Sequence, residues 1–209
     1  MKTGSTARNN ILKKIKQALG TPVPLPFEKE NRKEFFPKND ELELLFAENF
    51  SALQGRFSFC ADEQELAKQL ATLLVTRNWN AIYINEQKLK TQLTEAGLNF
   101  GAATTLADCN AAITSCELLV ARTGSIILSS GKNGRTSSVY APVHICIAYT
   151  SQLVFDIKDG LEALQQKYTA NFPSLISFAS GPSRTADIEK TLVTGVHGPK
   201  EVFCFLVEE

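Results

Sequence analysis

The chain runs from Leu175-Ile-Ser-Phe-Ala179 into Ser180-Gly-Pro-Ser-Arg-Thr-Ala-Asp-Ile-Glu189, and from Gly195-Val-His-Gly-Pro199 into Val202-Phe-Cys-Phe-Leu-Val207. Two apolar runs that flank two glycine turns predict a strand, a turn, a short helix, a second turn and a second strand. Strand–helix–strand order is typical of an α/β fold. Both turns also carry hydroxyl, guanidinium and imidazole groups, which a plain connection does not need. This stretch is therefore a candidate binding site as well as a fold signature.

Strands and helices alternate in the same way further upstream, after a helix that starts at Asp40 and ends at Gly55. The patterns predict strands at 56–60, 81–85 and 143–149 and helices at 62–77, 86–96 and 156–168. The apolar runs 118–121 and 125–128 are joined by three residues, too few for a crossover, and we expect an antiparallel hairpin there. The sequence thus predicts an α/β fold with a mixed, mostly parallel sheet and helices on its faces.

The N-terminal part has a different pattern. Residues 10–19 place apolar side chains on one face of a helix, and residues 21–27 have proline at every second position, which prevents sheet pairing. We predict a helical and proline-rich arm over residues 1–39 and one globular domain over residues 40–209.

Composition limits the classes of partner. The charges of the 22 basic and 22 acidic side chains cancel, so the chain as a whole has no electrostatic attraction for nucleic acid. Any anion site must therefore be local. No apolar run approaches the roughly 20 residues of a membrane span. The five cysteines are scattered without a C-x-x-C pair, so we expect reduced thiols, a cytoplasmic location and no metal site built from local thiolates.

The first glycine turn is the leading candidate for binding an anion. Gly181 and Ser183 are predicted to lie between a strand end and a helix start, where backbone N–H groups point at a ligand. Arg184 adds a guanidinium that can hold a carboxylate or phosphate. The alternative is that Ser183 or Thr185 only caps the helix while Asp187 offsets its dipole.

Further candidates lie in other turns and in one strand. His197 stands between Gly195 and Gly198, where it can contact an anion or simply tolerate an unusual backbone angle. The segment 131–137 resembles a phosphate loop but lacks its spacing. A histidine inside a strand is more often structural than catalytic. No catalytic residue can be assigned, and the candidate ligand-binding residues are Thr123, Gly124, Ser125, Arg135, Ser137, Ser138, His144, Gly181, Pro182, Ser183, Arg184, Thr185, Asp187, His197 and Gly198.

The combination of these turns resembles the LUD-domain family, to which lactate utilization protein C belongs. The motifs that carry the resemblance are Thr123-Gly-Ser125, Gly134-Arg135 with Ser137-Ser138, Pro142-Val-His144, Gly181 to Glu189, and Gly195 to Pro199. The resemblance covers residues 40 to 209. One position departs from the family, because the residue before Thr123 is commonly acidic there and is Arg122 here.

The resemblance implies a three-layer α/β/α fold similar to the NagB/RpiA/CoA-transferase superfamily. It also implies a component of a system that oxidises L-lactate to pyruvate, in which sibling subunits carry the iron–sulfur clusters and this chain binds no cofactor. Two alternatives stay open: a stand-alone isomerase, ligase or acyl-transfer enzyme of that superfamily, and a non-catalytic module that binds a ligand or docks a partner. A homo-oligomer is also open.

Overall fold

A computed structural model describes Lys13 and residues 41–134, 136–169, 171–185 and 193–209. All of these residues except Lys13 belong to one compact unit, which comprises Asn39–Glu209. The predicted arm at 1–39 lies outside the described residues apart from Lys13, so its structure stays a prediction.

The described residues of this unit form five α-helices and eleven strands. The helices are α1 (Leu42–Ala52), α2 (Glu63–Thr76), α3 (Gln87–Glu95), α4 (Ser137–Tyr140) and α5 (Ile157–Lys167). The strands are β1 (Arg56–Cys60), β2 (Ile82–Tyr83), β3 (Ala111–Thr114), β4 (Leu118–Val120), β5 (Ser125–Ser129), β6 (Val143–Tyr149), β7 (Leu153–Val154), β8 (Ile176–Ala179), β9 (Arg184–Thr185), β10 (Val193–Thr194) and β11 (Glu201–Val207).

A five-stranded parallel sheet forms the centre of the fold, in the order β1-β11-β6-β3-β2. Its two middle strands, β6 and β11, pair over their whole length, from Val143 opposite Glu201 to Tyr149 opposite Val207. Nearly all their side chains are buried on both faces. This explains why both strands appear in the sequence as continuous apolar runs rather than as alternating ones.

A second sheet, in the order β7-β4-β5-β8, packs on one face of the parallel sheet. The predicted hairpin is confirmed, since β4 and β5 pair antiparallel with Leu119 opposite Ile126. Helices cover the two outer sides: α2 and α3 pack on the free face of the parallel sheet, and α5 packs on the second sheet. The α/β prediction is confirmed, and the β layer between the helices consists of two sheets.

The glycine-rich stretch differs from its prediction in one respect. Residues 184–185 do not continue a turn into a helix but form β9, which pairs antiparallel with β10. Ser183 and Gly195 extend this ladder, because Gly195 N–H donates to the Ser183 carbonyl over 2.9 Å. The predicted helix over the following residues falls on 186–192, outside the described residues.

Smaller differences concern short elements. β3 was missed because its residues, Ala-Ala-Ile-Thr, are all buried and show no alternating pattern. α4, which has only four residues, was not predicted, and it begins in the polar stretch before the strand at 143–149. The first helix begins at Leu42 with Glu41 as its N-cap; the predicted cap, Asp40, lies outside the described residues.

Candidate functional site

Two of the predicted turns meet at the end of the second sheet. Ser125 and Ser180 lie beside each other at the ends of β5 and β8, with their hydroxyl oxygens 2.7 Å apart. The Thr123 hydroxyl donates to the Ser125 hydroxyl over 2.8 Å. Ser125 is only 3% exposed whereas Ser180 is exposed, so this chain of hydroxyl groups runs from the interior to the surface.

Packing against α1 explains the glycines of this corner. A Cβ on Gly124, which has φ +57°, would lie 2.5 Å from the Phe50 backbone nitrogen. A Cβ on Gly181, which has φ +88°, would lie 2.4 Å from the Leu53 carbonyl oxygen. The exposed Arg184 donates a hydrogen bond from Nη2 to the same carbonyl. The turns therefore dock on the C-terminal end of α1.

The backbone N–H group of Ser183, which was predicted to point at an anion, is bonded within the protein. It donates to the Pro199 carbonyl over 3.0 Å and is not available to a ligand. Thr185 pairs with Val193 in a strand, and Pro182 is half-buried between the turn and β9. Arg135 and Asp187 lie outside the described residues, so their predicted roles stay predictions.

His197 and Gly198 line a cleft of about 400 Å³ at the amino ends of β6 and β11. We call it the amino-edge cleft, and it is formed by residues 139–142, residues 195–198 and Lys200. A Cβ on Gly198 would lie 2.8 Å from the Ser183 Cβ, so Ser183 stands directly behind the cleft wall. Among the described lining residues Lys200 is the only one with a formal charge at neutral pH, and this sign favours an anion.

Ser137 and Ser138 open α4, whose last residue, Tyr140, lines the amino-edge cleft. Ser137 is 4% exposed and Ser138 is half-buried, and neither lines the cleft itself. These serines support the helix that forms one wall.

His144 lies in β6 and is fully buried. Its Nε2 is 2.8 Å from the Thr114 hydroxyl, while its Nδ1 has no hydrogen-bond partner among the described residues. Burial lowers the pKa of His144 to about 4, so the ring is neutral at neutral pH. His144 is not among the residues that line the amino-edge cleft.

Arg122, the residue that departs from the family pattern, forms a bidentate ion pair with Asp156. Its Nη2 lies 2.8 Å from Oδ1 and its Nε lies 3.1 Å from Oδ2. The Arg122 guanidinium holds the pKa of Asp156 below its ordinary value. Since Asp156 is also the N-cap of α5, Arg122 ties the hairpin to that helix.

A second cavity, of about 290 Å³, lies at the opposite edge, where the parallel strands end. We call it the carboxyl-edge cavity; its polar lining includes Glu63, Glu86, Ser115, Lys132, Tyr149 and Gln152. Burial and a hydrogen bond to Glu63 raise the pKa of Tyr149 to about 12, so its hydroxyl stays protonated and donates to Glu63 over 3.1 Å. Ligands of open α/β sheets bind at this edge.

Sequence reasoning missed this cavity because it considered strand ends only where a glycine turn follows them. Glu86 directly follows the predicted strand at 81–85, and Tyr149 ends the predicted strand at 143–149. These positions were a usable signal. Ser115 could not be found in this way, because it follows the missed strand β3.

No group of three or more His, Cys, Asp or Glu side chains in the described part of the chain is arranged to hold a metal ion. The five cysteines are free thiols, and all of them are buried. No helix within the described ranges is both long and apolar enough to cross a membrane.

Comparison with known proteins gives matches in sequence and in structure. The family model of the LUD domain matches residues 85–207, more than half of the chain. Lactate utilization protein C of Bacillus licheniformis is 35% identical over 103 residues, which are 48% of this chain and 43% of that protein. Lactate utilization protein C 1 of Bacillus mycoides is 27% identical over 231 residues, with 97% of each chain covered.

The alignments with the first curated relatives span less than half of those proteins' own length. A crystal structure of a DUF162 family protein from Deinococcus radiodurans shares the fold, with a TM-score of 0.61 and 21% identity. That superposition covers 82% of this chain and 99% of the other.

Proposed function

The chain belongs to the LUD-domain family, and on this basis we propose that it is one component of a multi-protein system for L-lactate utilization, which oxidises lactate to pyruvate. The observation that carries the proposal is the likeness to lactate utilization protein C 1 of Bacillus mycoides, because it extends over almost the whole of both chains.

Within this system we assign to the chain the binding of a small anion in the amino-edge cleft. Lys200 supplies the positive charge, and the exposed His197 supplies a ring N–H beside it. Gly195 and Gly198 let this loop pack closely, because a Cβ at these positions would meet the Lys200 side chain and Ser183. Lactate and pyruvate are both small enough for the cleft.

The redox centres belong, in this proposal, to iron–sulfur partner proteins in the cytoplasm. The positions of the cysteines support this division: Cys60, Cys116, Cys146 and Cys204 are fully buried among apolar side chains, and Cys109 is 5% exposed. They serve as small apolar residues of the core.

Deletion of the gene in its host tests the role. We expect the deletion strain to lose growth on L-lactate as the sole carbon source and to keep growth on glucose. Complementation with the wild-type gene should restore growth, and the Lys200→Ala variant should restore it poorly. Lys68→Ala, which changes an exposed lysine of α2, is the matched control and should restore growth fully. Undiminished growth of the deletion strain on L-lactate contradicts the proposal.

A further inference from the structure

The carboxyl-edge cavity contains a lysine that forms no ion pair with the described residues. Lys132 is half-buried, and its Nζ donates to the Cys116 carbonyl over 2.7 Å. Within the described residues no carboxylate oxygen lies within 4.0 Å of this ammonium group. An ammonium group has three donors, so two remain for a ligand. A partly buried ammonium group that is hydrogen-bonded but not ion-paired favours binding a counter-ion.

The loop that carries Lys132 is held in place by its neighbour Asn133. The Asn133 Oδ1 accepts from the Ser129 N–H over 3.2 Å, and its Nδ2 donates to the Ser115 carbonyl over 2.8 Å. Asn133 is only 2% exposed. The position of Lys132 at the cavity is therefore fixed by buried hydrogen bonds, as a binding site requires.

Glu86 provides a fixed hydrogen-bond acceptor in the same cavity. Its Oε1 accepts from the Ser115 N–H and from Asn133 Nδ2, both over 2.9 Å, and its Oε2 accepts from the Ser115 hydroxyl. A carboxylate has about four acceptor positions, so one remains on Oε2. A free donor site and a free acceptor site thus line one small space.

We propose that the carboxyl-edge cavity is a second ligand site, for a small monocarboxylate that carries a hydroxyl or ammonium group on the neighbouring carbon. The carboxylate of the ligand binds Lys132, and its hydroxyl or ammonium group donates to Glu86. The acidic lining residues Glu63, Glu86 and Glu209 outnumber the basic ones, Lys88 and Lys132, so a second negative charge on the ligand is disfavoured. This site does not rest on the proposed function, which concerns the amino-edge cleft.

Titration of the ¹⁵N-labelled full chain with L-lactate, with L-alanine and with propionate tests the site. Propionate is the matched probe, because it has the carboxylate and lacks the donor group. We expect L-lactate or L-alanine to shift the amide signals of Ser115 and Asn133 saturably, with propionate about tenfold weaker for the loss of one good hydrogen bond. Whichever of the two binds more tightly identifies the donor group as hydroxyl or ammonium.

Substitutions test the roles of Lys132 and Glu86 one at a time. Lys132→Met should abolish the shifts, and Lys132→Arg should retain them, whereas Lys68→Met is a control on an exposed lysine and should change nothing. Glu86→Gln should weaken the better probe and leave propionate unchanged. The proposal is overturned if neither probe shifts Ser115 and Asn133, if propionate binds equally well, or if the shifts are confined to Gly195–Gly198. Amide spectra of each variant verify that it is folded.

Discussion

The Glu117 carboxylate lies 2.7 Å from the Lys167 ammonium group, although only 1% of the Glu117 side chain is exposed. Tyr168 donates a second hydrogen bond to Glu117 over 2.7 Å, and the Ser129 hydroxyl donates a third. Burial raises the pKa of Glu117, but these donors outweigh it and hold the pKa below its ordinary value of 4.5. The network joins β5 to α5 and to the segment that precedes β4.

Glu117→Gln should lower the free energy of unfolding by about 2 kcal/mol, because it weakens hydrogen bonds to a buried charged group. Urea denaturation at pH 7 measures this. Glu162→Gln is the matched control: Glu162 forms an exposed pair with Lys158 at 3.7 Å, and its loss should cost about 0.5 kcal/mol or less. Equal losses of unfolding free energy in the two variants would show that the buried network stabilises the protein no more than an exposed ion pair does.

The pairing of Glu117 with Lys167 should also make the free energy of unfolding depend on pH in the acid range. Since the folded pKa of Glu117 is lowered, its contribution to stability is complete above pH 4.5 and is lost as the pH falls through the lower folded value. The difference in unfolding free energy between the wild type and Glu117→Gln should therefore shrink below pH 4.5. A difference that stays constant down to pH 3 would contradict this prediction.

Gly124→Ala should destabilise the protein strongly. Both the positive φ of +57° and the contact of the new Cβ with the Phe50 backbone nitrogen, at 2.5 Å, oppose the alanine side chain. Gly97→Ala is the matched control, since Gly97 has φ +92° and nothing within 4 Å of the added Cβ. We expect about 1 kcal/mol for the control and at least about 2 kcal/mol more for Gly124→Ala, measured by urea denaturation.

The burial of the His144 ring should make the protein less stable in weak acid. Its ordinary pKa of 6.5 falls to about 4 in the folded protein because the ring is buried. Between these values the unfolded chain binds more protons than the folded one, so stability decreases as the pH falls, by about 3 kcal/mol at most. His144→Gln should be less stable than the wild type at pH 7, and the gap should narrow towards pH 4.5. A gap that is independent of pH would contradict the assignment of a neutral buried ring.

The sequence predicts most of the fold because its long strands and helices have clear patterns. The boundaries of β6 agree with the prediction to the residue, and those of α2 and α5 agree within one residue. β3 and β7 could not be predicted in this way, because Ala111–Thr114 and Leu153–Val154 form neither an alternating pattern nor a continuous strongly apolar run.

The candidate site was predicted less completely, for two physical reasons. The sequence shows polar groups in glycine turns, but it cannot show that Gly124 and Gly181 are required by close approach to α1. It also cannot show which strands are neighbours. The pairing of β2 with β3 brings Ser115 beside Glu86, and hydrogen bonds from Lys132 and Asn133 to the carbonyls of Cys116 and Ser115 hold the loop there.

Arg184→Ala distinguishes a structural role of Arg184 from a ligand-binding role at the corner where the glycine turns meet. In the structure the guanidinium donates to the Leu53 carbonyl at the end of α1, and such a bond at an exposed position contributes about 1 kcal/mol. We expect the variant to lose this stability in urea denaturation and to support growth on L-lactate as the wild type does. Lys158→Ala, on the surface of α5, is the control and should be nearly neutral. Unchanged stability together with lost growth would instead make Arg184 a ligand-binding residue, as the sequence predicts.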